Sequence, residues 1–400
     1  MDPVHQISQF NSGRDPQLLA IKYGKLRANV FAFFRGTCHL FYDRLPQKNL
    51  FKNSPLVWAC GDLHLENFGS YKGDNRLVYF DINDFDEAAL APAGWDLVRM
   101  LTSVLVGTDG LKGDAFGENN LGATFLNAYA SSLATGKPYW VERETATGPV
   151  RVLLDGLRER SRVQFLDART EIKGKKRLIR LDGKNALPAS KAQRASIGEF
   201  MSSFAKNQPN PAFFGVQDIA RRIAGTGSLG VDRFALLVQG KGSPNGNYLL
   251  DLKHSTPSTL AGHLELKQPL WPSEAHRIVE LQQRSQAVPM AFLQPVQVDS
   301  AAYVLRGLQP SEDRISFSPL KLALPELQEL LVTMGKIVAW AHLRGAGRQG
   351  AAMVDELIEF GQCKKWQLEL LTMSRACAQQ VHQDATSFNE AYDQGGFSDH

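Results

Sequence analysis

The 400-residue sequence has little of what would assign it to a specialised class of protein. It contains only four cysteines, which lack metal-ligand spacing, so a zinc motif and a disulfide scaffold are excluded and a reducing compartment is indicated. No apolar run reaches the ~18 residues that a membrane-spanning helix needs. The first residues also lack the basic and then apolar pattern of a signal sequence. We therefore expect a cytoplasmic protein with no membrane partner.

A large excess of one charge is also missing. The formal net charge is +4, which is too small to indicate a nucleic-acid partner. In the one basic cluster, residues 173–180, charged and apolar residues alternate as they do in a β-hairpin with one face in solvent. The cluster has no aromatic residues that could stack on single-stranded bases. A docking patch for an acidic or phosphorylated substrate is the alternative. With 43% hydrophobic and 22% charged residues, the chain has the composition of a globular protein, and its length suffices for two lobes.

The most informative segment present is residues 62–67, D-L-H-L-E-N. An Asp followed five positions later by an Asn has the spacing of the catalytic loop in the protein-kinase fold, where the Asp accepts a proton from the attacking hydroxyl and the Asn binds Mg²⁺. Asp62 is therefore the candidate base and Asn67 a candidate metal ligand. His64 is expected near the transferred phosphoryl group, as a cationic or hydrogen-bonding residue. The alternative is an Asp-capped turn.

A second acidic motif follows a mostly apolar stretch. Residues 77–83 predict a strand, and the strand leads into D-F-D at residues 84–86. In a kinase such a strand delivers one carboxylate to Mg²⁺ beside the nucleotide phosphates. Asp84 is the first candidate for this ligand. Asp81 is a rival candidate, and Asp86 could assist.

The third motif is a G-x-G-x-x-G at residues 225–230, which contains Gly225, Gly227, Ser228 and Gly230. This pattern also marks dinucleotide-binding folds, but those require a helix after the third glycine. Here the sequence continues as an apolar strand, residues 231–238, and then a glycine-rich turn. Strand, glycine loop and strand is the kinase arrangement, in which backbone N–H groups cover the phosphates of ATP.

The strand after the glycine loop carries Lys253, where a kinase places the cation for the α- and β-phosphates. Residues 273–286 predict a helix, and its Glu280 is the favoured ion-pair partner for Lys253. A snorkelling surface lysine is the alternative for Lys253. Further helices are predicted for residues 196–206, with Ser196 as N-cap, and for residues 322–342, from their apolar spacing.

The order of these motifs differs from that of an ordinary kinase, because the catalytic loop precedes the glycine loop. A circular permutation would preserve the chemistry, since a site needs its groups to converge in space and not in chain order. The prediction is an α+β, two-lobed, permuted kinase-like fold. Residues 1–205 would begin the catalytic lobe, residues 206–310 would form the nucleotide lobe with a small antiparallel sheet, and residues 311–400 would complete the catalytic lobe.

The chain resembles a bacterial family known as domain of unknown function 2252. The resemblance rests on F-F-R-G at 33–36, C-G-D-L-H-L-E-N-F-G at 60–69, F-D-I-N-D-F-D-E at 80–87 and W-D-L-V-R at 95–99, and it continues through the glycine loop, Lys253, residues 277–280 and residues 341–342. More distantly, the loop resembles the H-G-D-x-H-x-x-N loop of aminoglycoside and choline phosphotransferases, with Cys60 in place of the first His.

These resemblances imply a phosphotransferase that uses ATP and Mg²⁺ and acts on an unidentified hydroxyl acceptor, with a small molecule preferred. Two alternatives share the fold: an adenylyltransferase with a reversed nucleotide, and a pseudokinase that binds nucleotide without catalysis. A metallohydrolase is an unrelated alternative, and it would use Asp62, His64, Glu66, Asp81 and Asp84.

Overall fold

The computed structural model describes residues 2–45, 51, 53–109, 121–174, 176–310, 314–315 and 322–397. This part of the chain is α+β, as predicted. Its helices are α1 Pro3–Asn11, α2 Pro16–Ala28, α3 Val30–Gly36, α4 Cys38–Arg44, α5 Ala93–Gly107, α6 Leu121–Ala134, α7 Gly148–Glu159, α8 Arg162–Asp167, α9 Lys191–Lys206, α10 Glu274–Ser285, α11 Leu324–Gly345, α12 Val354–Gln362 and α13 Lys365–Asp393.

The strands form several small sheets, and every pairing is antiparallel. They are β1 Leu56–Ala59, β2 Phe68–Lys72, β3 Val78–Ile82, β4 Ala89–Pro92, β5 Val141–Glu142, β6 Thr170–Lys173, β7 Lys176–Ile179, β8 Ala186–Pro188, β9 Val216–Arg222, β10 Arg233–Val238, β11 Tyr248–His254, β12 Gln294–Val298 and β13 Ala301–Gly307.

A mainly helical core surrounds α5, which is buried along almost its whole length. A helix that is apolar on all sides must be enclosed, and α13, α6 and α3 pack around it. The α11 helix, predicted at residues 322–342, packs against α6 and β1. In this part of the chain no helix is both long enough and apolar enough to span a bilayer.

The second core is built on a six-stranded sheet with the order β12-β13-β11-β10-β9-β8. Because side chains alternate along a strand, Leu250 and Leu252 of β11 lie on one face, with Ile197 and Met201 of α9. The other face carries Leu249, which packs with residues of α8, β7 and β10. The boundary predicted between residues 205 and 206 falls at the last residue of α9, and β8 of this sheet lies before it in the chain.

Side-chain caps determine where several helices begin. Ser273 accepts a hydrogen bond from the backbone of α10, which spans almost the predicted residues. The helix predicted at 196–206 instead starts at Lys191, because Ser190 and Gln193 form a capping box there. Ser196 is therefore not the N-cap as predicted; its hydroxyl donates to Asp299. A Ser followed three residues later by Gln is a stronger start signal than Ser196, because the two side chains satisfy two backbone N–H groups reciprocally.

The hairpin predicted from the basic cluster is confirmed as β6 and β7. Arg177 of this hairpin is buried, and its Nη1 lies 2.7 Å from Oδ1 of Asp167. Lys173 pairs with Glu171 on the exposed side. Lys175, which belongs to the same cluster, lies outside the described residues.

Candidate active site

Segments that are far apart in the sequence meet at a cleft of about 430 Å³. Its lining includes most of the predicted site residues, namely Asp62, His64, Asn67, Asp84, Gly225, Gly227, Ser228 and Lys253. Asp86 lines it as well. Three predicted residues, Asp81, Gly230 and Glu280, are not among the lining residues.

Asp62 lies between β1 and β2, and its carboxylate is held by Arg99 of α5. Nε and Nη2 of Arg99 both donate to Oδ1 of Asp62, at 2.9 and 2.6 Å. The Arg99 side chain is fully buried, and its guanidinium lies 3.9 Å from the ring centroid of Phe34. Burial raises the pKa of Asp62, and the charge of Arg99 opposes this shift. Since both bonds go to Oδ1, Oδ2 remains free of Arg99 and lies 4.0 Å from Nε2 of His64.

His64 is a hydrogen-bonding residue here and not a cation. Burial, together with the charges of Arg35 and Arg99, holds the pKa of His64 well below its ordinary value. Nδ1 of His64 accepts a hydrogen bond from the backbone N–H of Glu66 at 3.1 Å. The proton of the neutral ring is therefore assigned to Nε2, which faces Asp62 as a donor.

Asn67 joins the catalytic-loop segment to the acidic turn. Its Nδ2 donates to the backbone carbonyl of Asp62 at 2.9 Å and to that of Asp84 at 3.4 Å. Within the described residues, the buried Oδ1 of Asn67 has no hydrogen-bond partner. A buried amide oxygen without a partner costs free energy, and a bound cation would satisfy it.

Asp84 and Lys253 approach each other across the cleft. Burial alone would raise the pKa of Asp84, but the charges of Lys253, Arg306 and Arg314 lower it to about 2. Nζ of Lys253 lies 3.9 Å from Oδ1 of Asp84 and forms a close ion pair with the carboxylate of Asp86. Asp84 is thus an ionised carboxylate that is partly exposed to the cleft.

Asp81 is buried away from the cleft, so the structure does not support it as a rival metal ligand. Its Oδ1 accepts from its own strand at Ile82, and its Oδ2 accepts from the backbone of Ala287 at 3.3 Å and lies 3.8 Å from Arg344. Burial raises the pKa of Asp81 to about 6. Side chains three residues apart in an extended chain point to opposite faces of the sheet. The spacing of Asp81 and Asp84 therefore already indicated that only one of them could face the cleft.

The predicted pairing of Lys253 with Glu280 is wrong. Glu280 is half exposed, and its nearest cation is Arg284, at 3.9 Å on the same helix. The inward residue of α10 is Arg277, which donates to the backbone carbonyls of Asp86 and Ala88 at 2.8 and 2.7 Å. The α10 helix therefore acts on Lys253 only indirectly. Arg277 binds the backbone of the acidic turn, and Asp86 of that turn pairs with Lys253.

The glycine motif forms the loop between β9 and β10, and no helix follows it, as predicted. Gly225 and Gly230 have φ values of +80° and +90°, a left-handed conformation that favours glycine. A Cβ at Gly36 of α3 would clash with Leu26 of α2 and would lie 3.1 Å from Cγ2 of Thr226, so this glycine allows α3 to pack against both α2 and the loop. Gly230 itself packs against Arg14 outside the cleft.

The N-terminal helices fix the orientation of the glycine loop. Nζ of Lys22, which is fully buried on α2, donates to Oδ1 of Asn11 at 2.7 Å and to the carbonyl of Gly227 at 2.9 Å. Arg14 donates to the same carbonyl at 2.9 Å and to that of Leu229 at 3.3 Å. Burial lowers the pKa of Lys22 well below its ordinary value.

Asp96, the fourth residue of α5, anchors the backbone before Asp62. Its carboxylate accepts from the N–H groups of Cys60 and Gly61 at 2.8 and 2.9 Å. Nε2 of His342 lies 3.5 Å from Asp96, and Nδ1 of His342 lies 2.9 Å from the hydroxyl of Tyr129. The end of α11 therefore packs behind the backbone that precedes Asp62.

Oδ1 of Asn67 and the carboxylate of Asp84 are the two predicted metal ligands that lie in this cleft, while Asp86 is held by Lys253. Mg²⁺ is commonly held by one or two carboxylates together with substrate phosphates and water, and this pair fits that pattern. Among the residues with described positions, no three His, Cys, Asp or Glu side chains converge on a metal-sized site. The metallohydrolase alternative loses Asp81, which faces away, and Glu66, which pairs with Arg35.

Sequence reasoning missed the roles of Arg99, Arg35 and Arg314. Arg99 is the one cation within the mostly apolar α5, and a cation in a buried helix is a signal that could have identified it. Arg35 pairs with Glu66 beside His64, which gives the F-F-R-G string a structural role. Arg314 lines the cleft, and no sequence pattern marked it.

Comparison with known proteins places the chain in a family. No curated protein and no solved structure matches it. The model of a family described as an uncharacterized protein conserved in bacteria matches residues 14–391, which include all of the predicted site residues. The chain therefore belongs to the bacterial family known as domain of unknown function 2252.

Proposed function

We propose that this protein is a circularly permuted, kinase-like phosphotransferase that uses ATP and Mg²⁺ and acts on a hydroxyl acceptor. One observation carries the proposal: Asp62, Asn67 and Asp84 line the same cleft as the glycine loop and Lys253. Residues 62–84 and residues 225–253 are far apart in the sequence, so their meeting in one cleft does not follow from being neighbours in the chain. A small-molecule acceptor is preferred from the resemblance to aminoglycoside and choline phosphotransferases.

In this proposal Asp62 is the general base. The acceptor oxygen attacks the terminal phosphorus of ATP, its proton passes to Oδ2 of Asp62, and the bond to the departing ADP breaks. Arg99 holds Oδ1 and so orients the carboxylate, and the Nε2 proton of His64 is available to an oxygen of the transferred group. Asp96 fixes the backbone on which Asp62 stands.

Asn67 and Asp84 would hold Mg²⁺, which would neutralise phosphate charge when bound. The low pKa of Asp84 keeps it ionised at neutral pH, as a metal ligand must be. Lys253 would leave its contact with Asp86, or share it, to bind the phosphates. Residues 225–228 would cover the phosphates from the opposite side.

The order of elements supports the permuted kinase-like fold. The glycine loop joins β9 and β10, Lys253 lies on the next strand, and α10 follows before β12 and β13. A kinase nucleotide lobe has this succession of glycine loop, lysine strand and helix. The catalytic-loop segment comes earlier in the chain, while α11, which lies behind it, comes later.

Isothermal titration calorimetry with ATP, in the presence and absence of Mg²⁺, tests the binding half of this proposal. We expect Mg²⁺ to tighten binding in the wild type and in the matched control Asp81→Asn, since Asp81 lies away from the cleft. Asp84→Asn should lose this dependence, with an affinity for Mg-ATP about tenfold weaker or more. No binding of the wild type at millimolar Mg-ATP would reject the proposal.

Product analysis separates the alternatives that share the fold. Slow turnover in the absence of the natural acceptor should release ADP and phosphate. Release of AMP and pyrophosphate would instead identify an adenylyltransferase. Binding without either product, also in the presence of candidate acceptors, would identify a pseudokinase.

A further inference from the structure

A second cavity of about 420 Å³ adjoins the glycine loop on the side of β13. It is lined by residues of the sheet and of the β6–β7 hairpin, and we name it the basic pocket. Eight lysine and arginine residues line it, against one aspartate, Asp182. It shares Gly225 and Arg314 with the cleft, so the two cavities are neighbours.

The floor of the basic pocket is a buried charge cluster. Asp251 of β11 is completely buried, and three arginines surround its carboxylate. Nη1 of Arg222 lies 2.8 Å from Oδ1, Nη2 of Arg233 lies 2.6 Å from Oδ2, and Nε of Arg306 lies 3.3 Å from Oδ2. One carboxylate therefore faces three guanidinium groups.

Neighbouring carboxylates do not balance this charge. Asp84 and Asp86 are the next acids, but both already interact with Lys253. Arg314 adds another half-buried cation, which has no ion-pair partner in the described part of the chain. Burial, together with the charges of Arg233 and Arg306, lowers the pKa of Arg222 to about 10. An uncompensated positive cluster of this kind is costly unless an anion joins it.

The rim of the pocket carries further cations. Lys25 of α2 and Lys184 are exposed, and among the described residues the amino group of neither has an ion-pair partner. Asp182, the one acid of the rim, is already bonded to the N–H groups of Lys184, Asn185 and Ala186. The rim thus adds positive charge to a floor that is already positive.

We propose that the basic pocket is a binding site for an oligophosphate, a chain of several linked phosphate groups. Arginines at the floor and lysines at the rim offer hydrogen-bond donors at two depths of the pocket. A chain of phosphates can contact both sets of donors at once, whereas a single anion cannot. The volume lies within the range of roughly 300–1,000 Å³ of small-molecule sites. The site goes beyond the proposed phosphotransfer and does not require it.

The test uses sodium tripolyphosphate without Mg²⁺ and isothermal titration calorimetry on the full chain. The variant Lys25→Ala/Lys184→Ala removes two exposed rim cations and should fold normally. Lys173→Ala/Lys206→Ala is the matched control, because it removes the same charge from exposed positions outside the pocket. We expect the first variant to bind tripolyphosphate about tenfold more weakly and the control to bind within about twofold of the wild type. Arg314→Gln should weaken binding as well.

Three results would overturn the proposal: no binding by the wild type at millimolar tripolyphosphate, equal losses in the two double variants, or a loss in Lys253→Met that exceeds the loss in the rim variant. The last result would put the anion in the cleft. Competition then identifies the source of the phosphates. Displacement of tripolyphosphate by ATP but not by adenosine would indicate the phosphate tail of a nucleotide, whereas no displacement by ATP would indicate an inorganic oligophosphate.

Discussion

Arg99 donates two hydrogen bonds to one oxygen of Asp62, from Nε at 2.9 Å and from Nη2 at 2.6 Å. A third bond, from Nη2 to the backbone carbonyl of Phe34 at 3.0 Å, ties the guanidinium of Arg99 on α5 to α3. The candidate base is therefore oriented by a buried charge. Removal of the Asp62 carboxylate would leave the charge of Arg99 uncompensated. A test of the base must therefore measure stability as well as turnover.

Asp62→Asn should abolish transfer and leave the affinity for Mg-ATP within about threefold of the wild type, because a base acts in the transition state. The amide keeps an oxygen for Arg99. Asp62→Ala should in addition destabilise the protein by about 2 kcal/mol relative to Asp62→Asn, because it leaves the buried Arg99 guanidinium without its acceptor oxygen. Urea unfolding and a turnover assay measure the two effects. Equal stability of the two variants would show that the Arg99 contact contributes little.

The partner of Lys253 gives a second prediction. Asp86→Asn should alter nucleotide affinity, because Nζ of Lys253 loses its closest carboxylate. Glu280→Gln is the matched control and should leave affinity within about twofold, since Glu280 is half exposed and contacts Arg284 only weakly. Calorimetry with Mg-ATP compares the two variants. A larger effect from Glu280→Gln would restore the helix glutamate as the partner.

Lys22 gives a third prediction, on the dynamics of the glycine loop. Lys22→Met should leave the carbonyl of Gly227 with only the bond from Arg14, and amide hydrogen exchange of residues 225–230 should accelerate. The affinity for Mg-ATP should weaken by about tenfold if an ordered loop is needed for phosphate binding. Lys206→Met, on the exposed end of α9, is the control. Unchanged exchange in the loop would contradict the anchoring role.

A fourth prediction concerns the pH dependence of stability. Asp81 has a pKa of about 6 in the folded protein, above its ordinary value of 3.8, so folding favours its protonated form. Its contribution to stability is complete below pH 3.8 and is lost as the pH rises through about 6. Asp81→Asn should lack this loss, and the stability difference between variant and wild type should change by about 3 kcal/mol between these limits.

Urea unfolding of both proteins at acidic and neutral pH measures this difference, and other titrating groups cancel in the comparison. A pH-independent difference would show that Arg344, at 3.8 Å, keeps Asp81 ionised in the folded protein.

The short-range features of this protein were determined by the sequence itself. The glycine loop without a following helix, the helix α10 with its Ser273 cap, and the apolar spacing of α11 all depend on residues within one or two turns of each other. Such patterns of period and capping are local, so the sequence alone was sufficient to predict them. The start of α9 was predicted wrongly at Ser196, because this stretch contains two capping signals and the one at Ser190 determines the helix.

Tertiary structure alone decided which charges meet. Lys253 pairs with Asp86 and not with Glu280, because α10 turns Arg277 and not Glu280 towards the acidic turn. The pairing of Asp62 with Arg99 depends on the packing of α5 behind the loop. Ion pairs between distant segments depend on the relative placement of packed elements, and no periodicity within either segment encodes that placement. Most of the site residues that the sequence predicted therefore lie in the cleft, and the fold decided which partner each of them has.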